Sequence, residues 1–208
     1  MLKVGRNSKE ISEATFKRGD MAEIKGTVLN DSIKNIKHRY GDQAYKNIVN
    51  QLKDQTRTLF ERSHILPLGW YSLDAFTQFL EMDVKVTMNG NEQELINRAE
   101  RVIERQLSGL YKWFVKFGSP EFLLKRISVV HQTYFQGVGI EVNLPSPGRA
   151  VLKYTGFSKQ HRLIGLSIIG FYRKGLEISG AKDVKAEFVT PIEDDKGYCE
   201  LLLTWRGK

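Results

Sequence analysis

Apolar positions fall at helical spacing through the first part of the chain and at a spacing of two beyond Gly137, so a helical half is predicted to precede a sheet. A short apolar strand over 22–28 runs into Asn30-Asp31-Ser32, whose side chains suit the capping of a helix start. The helical block over 32–59 carries Ile33, Ile36, Tyr40, Ala44 and Ile48 on one stripe, with a break signalled at Gly41-Asp42. Pro67 and Gly69 mark a turn. A helix over 72–82 follows, with Leu73, Phe76, Phe79 and Leu80 on its apolar side. A longer one over 92–116 carries Leu95, Ala99, Val102, Ile103, Leu107, Leu110, Trp113 and Phe114. Ser119-Pro120-Glu121 reads as a helix start with proline at a tolerated first position. That helix runs to about residue 135 with Leu123, Ile127, Val130 and Tyr134 at helical spacing.

The period then changes. Val138, Ile140, Val142 and Leu144 alternate as in a half-buried strand, and Pro145-Ser146-Pro147-Gly148 turns the chain into a return strand over 149–154. Residues 158–180 form a helix that is apolar nearly all round, which implies burial against the sheet. Strands over 184–189 and 198–205 close the pattern. The predicted fold class is α+β, with a helical N-terminal half packed on a four-stranded antiparallel sheet whose C-terminal order is β-β-α-β-β. Residues 1–21 are polar and weakly patterned, with a short helix over 10–17, and read as an N-terminal extension to a single domain over 22–208.

Composition places this pattern among ordinary globular proteins. The 208 residues are 41% hydrophobic and 27% charged, enough to build a core and too apolar for a disordered chain. One cysteine, Cys199, rules out an intramolecular disulfide and a multi-cysteine zinc site, which fits a reducing compartment. No apolar run approaches the ~20 residues of a membrane span, and Met1-Leu2-Lys3-Val4-Gly5-Arg6 has no signal-peptide core. A cytoplasmic protein without a transmembrane segment is expected.

The net charge of +8 is uneven. Between 149 and 185 the basic residues Arg149, Lys153, Lys159, Arg162, Arg173, Lys174, Lys182 and Lys185 face only Glu177 and Asp183. Such a region suits nucleic acid, an anionic membrane surface or an acidic protein. No basic run is contiguous and no binding motif accompanies it, so a solvated face is the simpler reading.

Lys25-Gly26-Thr27-Val28, the helix-patterned run through Asn50 and the segment Leu66-Pro67-Leu68-Gly69-Trp70-Tyr71-Ser72 resemble, in that order, the start of a heme–nitric-oxide-binding domain. They resemble more closely a heme-free, uncharacterised family of bacterial proteins, many from myxobacteria, in the same superfamily. Vinyl-reductase-like ligand-binding domains and acyl-holding Golgi-tethering subunits also belong to that superfamily. The resemblance implies the α+β fold just described over about 23–206. It also implies a ligand-binding or signalling module with a pocket between the helices and the sheet. Its candidate lining residues are Phe76, Phe79, Phe114, Ile127, Val130, His131, Leu166 and Ile169, all of which ordinary core packing explains equally well.

The resemblance puts most at stake on His131, because heme–nitric-oxide-binding domains carry their proximal iron ligand on the helix before the sheet. Those domains also hold the heme propionates with a Tyr-x-Ser-x-Arg motif. Neither Tyr71-Ser72-Leu73 nor Tyr172-Arg173 has that spacing. A core histidine with its hydrogen bonds satisfied is therefore the expected role, no cofactor is expected, and heme uptake through His131 is a testable alternative. The other histidines, His38, His64 and His161, have no i,i+3 or i,i+4 partner, so no metal site is expected. Tyr198-Cys199-Glu200 lies where vinyl-reductase-like domains often carry a cysteine, although burial as a small apolar residue accounts for Cys199. Asp194-Asp195 fall in a turn and read as solubilising. Gly165 and Gly170 in the apolar helix imply either close approach of another backbone or room for a ligand.

No nucleophile elbow, phosphate loop or zinc-hydrolase motif is present. The expected function is a non-enzymatic sensory or interaction module that binds a small apolar ligand or a protein partner. A homodimer is also considered. Nucleic acid and anionic membranes remain the alternative partners through the basic region.

Overall fold

The computed structural model describes residues 22–61, 65–107 and 119–207. The expectations placed on 1–21, His64, Leu110, Trp113 and Phe114 lie outside the described residues. Strand β1 (Glu23–Lys25) passes directly into helix α1 (Gly26–Asn50). The strand expected over 22–28 is thus shorter, and Asn30-Asp31-Ser32 lie inside the helix instead of capping it. The reason is tertiary. The Gly26 and Thr27 N–H groups, free at a helix start, donate to the carbonyls of Gly69 and Pro67 at 2.9 and 3.0 Å. A Cβ at residue 26 would collide with the Leu66 carbonyl oxygen, so this close approach requires glycine. The Asn30 amide, freed from capping, donates to the Ile65 carbonyl at 2.9 Å.

The predicted break in α1 is present at Gly41, whose φ of 83° and ψ of 168° interrupt the helix. A second break at 51–53 separates α2 (Asp54–Glu61), where one block had been expected. Another difference follows the turn at Pro67. Residues Trp70–Ser72 form strand β2 on one side of β1, and Phe135–Gln136 form β3 on the other, giving a three-stranded antiparallel sheet in the order β2-β1-β3. Runs as short as β2 and β3 display no period, so the sequence carries no sign of these two strands. Helix α3 (Leu73–Thr87) starts at Ser72, whose Oγ accepts the Ala75 N–H at 3.3 Å. Helix α4 covers Gln93–Leu107 and α5 covers Pro120–Tyr134. The predicted start of α5 holds, with Ser119 Oγ accepting the Phe122 N–H at 3.2 Å and Pro120 in the first turn.

The β-β-α-β-β unit is as read from the period change. Strands β4 (Gly139–Ser146), β5 (Arg149–Thr155), β6 (Lys182–Thr190) and β7 (Tyr198–Arg206) form an antiparallel sheet in the order β4-β5-β7-β6, and α6 (Arg162–Ile178) joins β5 to β6. Alternation sets its inner face: Ala150, Leu152 and Tyr154 of β5 and Cys199, Leu201, Leu203 and Trp205 of β7 are buried. Leu163, Ile164, Ile168, Tyr172 and Leu176 of α6 are buried with them in a core shared with the N-terminal helices. Gly170 allows α6 to lie against α4, because a Cβ there would collide with the Ile96 carbonyl oxygen. Close backbone approach therefore accounts for this glycine. Between α3 and α4, fully buried Asp83 pairs with buried Arg98, and the Thr87 hydroxyl donates to Asp83 at 2.7 Å. Among the described residues no helix is long and apolar enough to cross a membrane.

Candidate functional site

The last turn of α5, the end of β5 and the middle of α6 converge on a cluster of rings. His131 stacks on Phe135 with centroids 4.7 Å apart and lies 5.6 Å from Tyr154, which in turn lies 5.6 Å from Phe157. Internal hydrogen bonds occupy one ring nitrogen of His131 and the hydroxyls of Tyr154 and Tyr172. The His131 Nε2–H donates to the Val138 carbonyl at 3.1 Å, which leaves Nδ1 as the unprotonated nitrogen of a neutral ring. Burial lowers the pKa of His131 from its ordinary value, and the bond to Val138 opposes that shift only in part. The fully buried Tyr154 hydroxyl donates to the Tyr172 hydroxyl at 2.9 Å. Burial is the main cause that raises both phenol pKa values, so both rings stay protonated.

At the edge of the cluster stands a set that sequence reading missed. The Ser158 N–H donates to His161 Nδ1 at 3.0 Å, and the His161 Nε2–H donates to Asp74 Oδ1 at 2.7 Å. The residue types match a catalytic triad, but the Nδ1 lone pair already accepts a backbone N–H and is no base for the Ser158 hydroxyl, 3.4 Å away. The arrangement is a capping box with histidine in the glutamate position. It ties the start of α6 to the first turn of α3. Ser158-x-x-His161 was legible as a cap, whereas Asp74, 87 positions earlier, was not. Beside it Arg162 forms a two-pronged ion pair with Glu92 and approaches Glu193 at 3.7 Å. The Arg162 hydrogen bond, the larger effect, holds the Glu92 pKa below its ordinary value.

The residues singled out from sequence lie in three surroundings. Phe76 and Phe79 stack together at 6.3 Å, and Phe79 stacks on Phe60 at 4.3 Å within the helical half. Ile127 and His131, a turn apart, are buried on α5, and Val130 is half-buried against the core. Leu166 and Ile169 open onto a surface groove of about 250 Å³ shared with Ala186, Phe188, Pro191 and Ile192. A Cβ at Gly165, in the same groove, would lie 2.7 Å from Ile192 Cδ1 and 3.1 Å from the Phe188 ring. A second cleft, about 230 Å³, is lined by Glu81, Glu92, Lys159 and Arg162 among others. Cys199 is buried opposite Tyr154, and burial pushes its thiol up to about 12, which keeps it protonated and unreactive at neutral pH.

The basic region is dispersed by its own partners. Arg162 is paired as described, Arg173 pairs with Glu100 at 3.1 Å, and Lys174 pairs with Glu177 at 2.8 Å. Lys153 lies 4.7 Å over the Tyr198 ring. Arg149, Lys159, Lys182 and Lys185 are exposed on three different elements. Among the described residues no group of three or more histidine, cysteine or acidic side chains is placed to hold a metal ion.

No protein-family model and no curated protein matches the sequence. Solved structures of H-NOX proteins do match its backbone. The Fe(II) unliganded H-NOX protein from K. algicida aligns with a TM-score of 0.64 at 13% identity, over 88% of this chain and 97% of that one. The Fe(II)NO form of the S. oneidensis H-NOX protein gives 0.64 at 14%, over 88% and 99%. A variant of the T. tengcongensis H-NOX protein gives 0.61 at 14%, over 88% and 98%. At this identity the likeness is one of fold, and the chain has an H-NOX-like α+β fold.

Heme is the group that this fold family brings to mind, one neighbour being described by heme distortion in the H-NOX family. The residues here, as arranged, do not suit it. His131 directs Nε2 to a backbone carbonyl and one face of its ring to Phe135. The tyrosine at the end of β5, Tyr154, is followed at the spacing of Tyr-x-Ser-x-Arg by Gly156 and Ser158. Gly156 has a φ of +86°, and a Cβ there would collide with the Gly137 carbonyl oxygen, so a serine has no room. The Tyr154 hydroxyl is itself committed to Tyr172.

Proposed function

We propose that the chain is a non-enzymatic sensory or interaction module, one domain over 22–208, that works without heme and recognises a small apolar ligand or a protein partner. The observation that carries this reading is the closure of the ring cluster on itself: His131 spends Nε2 on the Val138 carbonyl, and Tyr154 and Tyr172 spend their hydroxyls on each other. Such a cluster offers an entering molecule apolar ring faces and no charged anchor. The ligand reading centres its lining on Ile127, Val130 and His131 of α5, while Phe76 and Phe79 of the helical half and Leu166 and Ile169 of the surface groove lie in separate surroundings.

The exposed basic residues supply a weaker, electrostatic alternative. Three of the eight are already neutralised by carboxylates, which reduces what is left for DNA or an anionic vesicle.

Native mass spectrometry of the purified protein tests the ligand reading. A reproducible added mass that is lost on denaturation and weakened by Ile127→Ala supports it. Binding to DNA or to anionic vesicles that collapses with added salt, with no small-molecule adduct, would replace it by the electrostatic alternative.

A further inference from the structure

The four-stranded sheet has two edges, and they differ. Edge strand β4 carries Pro145, which has no N–H to offer, one residue before its end, and α5 packs beside it. Edge strand β6 contains no proline and, among the described residues, β7 is its one strand neighbour. Its ends are irregular: register shifts lie between Lys182 and Lys185 and between Phe188 and Thr190, and Asp183 has a φ of 51°. Between them, Lys185, Ala186, Glu187 and Phe188 pair one-to-one with β7 and form a regular run whose outer edge pairs with no other strand among the described residues. An edge of this kind is a template for another strand unless charge or shape prevents it.

The sequence of this run selects a partner. Lys185 and Glu187 are exposed on the outer face, while Val184, Ala186 and Phe188 are half-buried on the inner face beside the apolar groove. Lys185 sits across from Thr204, and Glu187 across from Leu202, so neither meets an opposite charge on β7. We propose that β6 pairs antiparallel with β6 of a second copy about a two-fold axis at Ala186, joining the two sheets into one. That register places Lys185 opposite Glu187 of the partner subunit and Glu187 opposite Lys185 of the partner subunit. On the inner face it places Val184 opposite Phe188 of the partner subunit. Because residues opposite one another in an antiparallel pair share a face, the ionic pairs and the apolar pairs form together. Shifting the register by one residue sets Lys185 against phenylalanine and sends the apolar side chains to the wrong face. The interface is isologous, so it closes at a dimer.

The test is sedimentation velocity of the full chain across a concentration series, with Lys185→Glu, Glu187→Lys and the double reversal. Both positions are exposed, and circular dichroism checks that the fold survives. The expected result is a reversible dimer that either single reversal weakens about tenfold, because two symmetry-related pairs turn repulsive at once. The double reversal restores it. In hydrogen exchange, the outward-facing amides of 185–188 gain protection as the dimer forms. A wild-type monomer up to millimolar concentration would overturn the proposal and leave the edge to a foreign strand. A dimer indifferent to all three variants would overturn it equally.

Discussion

Two aromatic clusters sit in this molecule and are built on opposite plans. In the helical half, Phe60, Phe76 and Phe79 stack face to face, and Tyr45 closes the group by donating its hydroxyl to the Phe60 carbonyl at 2.7 Å. Under the sheet, His131, Phe135, Tyr154, Phe157 and His161 meet tilted or edge-on more often than stacked, and hydrogen bonds run through three of the five. The first cluster is held by buried area and ring contact. The second is held as much by pairing its polar atoms, each of which costs stability when left alone. The comparison shows where this fold has least freedom to change: at the polar cluster, a substitution that keeps shape but deletes one partner harms the other.

The sharpest break of this contrast is a truncation in the apolar cluster. Phe79→Ala removes a fully buried ring from between Phe60 and Phe76, and should cost about 3–5 kcal/mol in denaturant unfolding. A loss well under that range would mean the rings are loosely packed and the contrast is false. In the polar cluster, Tyr154→Phe retains the ring but strands the buried Tyr172 hydroxyl, at a cost of about 1–3 kcal/mol. Adding Tyr172→Phe should recover part of that loss, because no hydroxyl is then left unpartnered. Strict additivity of the two substitutions would show that the hydroxyls do not depend on each other.

His131 adds a dependence on pH that the apolar cluster lacks. Its pKa in the fold is lowered by burial, so in acid the unfolded chain takes up a proton that the folded chain resists. Stability attributable to this group is therefore complete above the ordinary imidazole value of about 6.5 and falls as pH drops below it. The unfolding free energy of the wild type should decline from pH 7 to pH 5 more steeply than that of His131→Phe. Parallel curves would remove His131 from the account. The smallest effect is expected at the cluster's rim. Asp74 is half-exposed, so Asp74→Asn should change stability by no more than about 1 kcal/mol, read from the same denaturation curves.

Much of this was legible in the chain. The change of period at Gly137 gave the order of helices and strands, Ser119-Pro120 marked the start of α5, and Gly41 marked the break in α1. What the sequence concealed has a common physical cause. The start of α1 is set by carbonyls from the turn at 67–69, and the Asn30-Asp31-Ser32 signal was overridden because the first free N–H groups found partners there. The strands β2 and β3 are too short for any period. At the candidate site, buried residues of α5 such as His131 and Ile127 could be picked by spacing. The partners that fix their chemistry could not, since Val138 contributes a backbone carbonyl and Asp74 arrives from the start of a distant helix. Gly170 was recognised as an anomaly, and only the position of the Ile96 carbonyl explains it.

The most direct test of the central claim, a polar cluster closed on itself without heme, is titration of the purified protein with hemin under reducing conditions, alongside His131→Ala. The account predicts a broad absorbance that grows without saturating at one equivalent and is the same in both proteins. A sharp, one-to-one Soret band in the wild type that disappears in His131→Ala would contradict it.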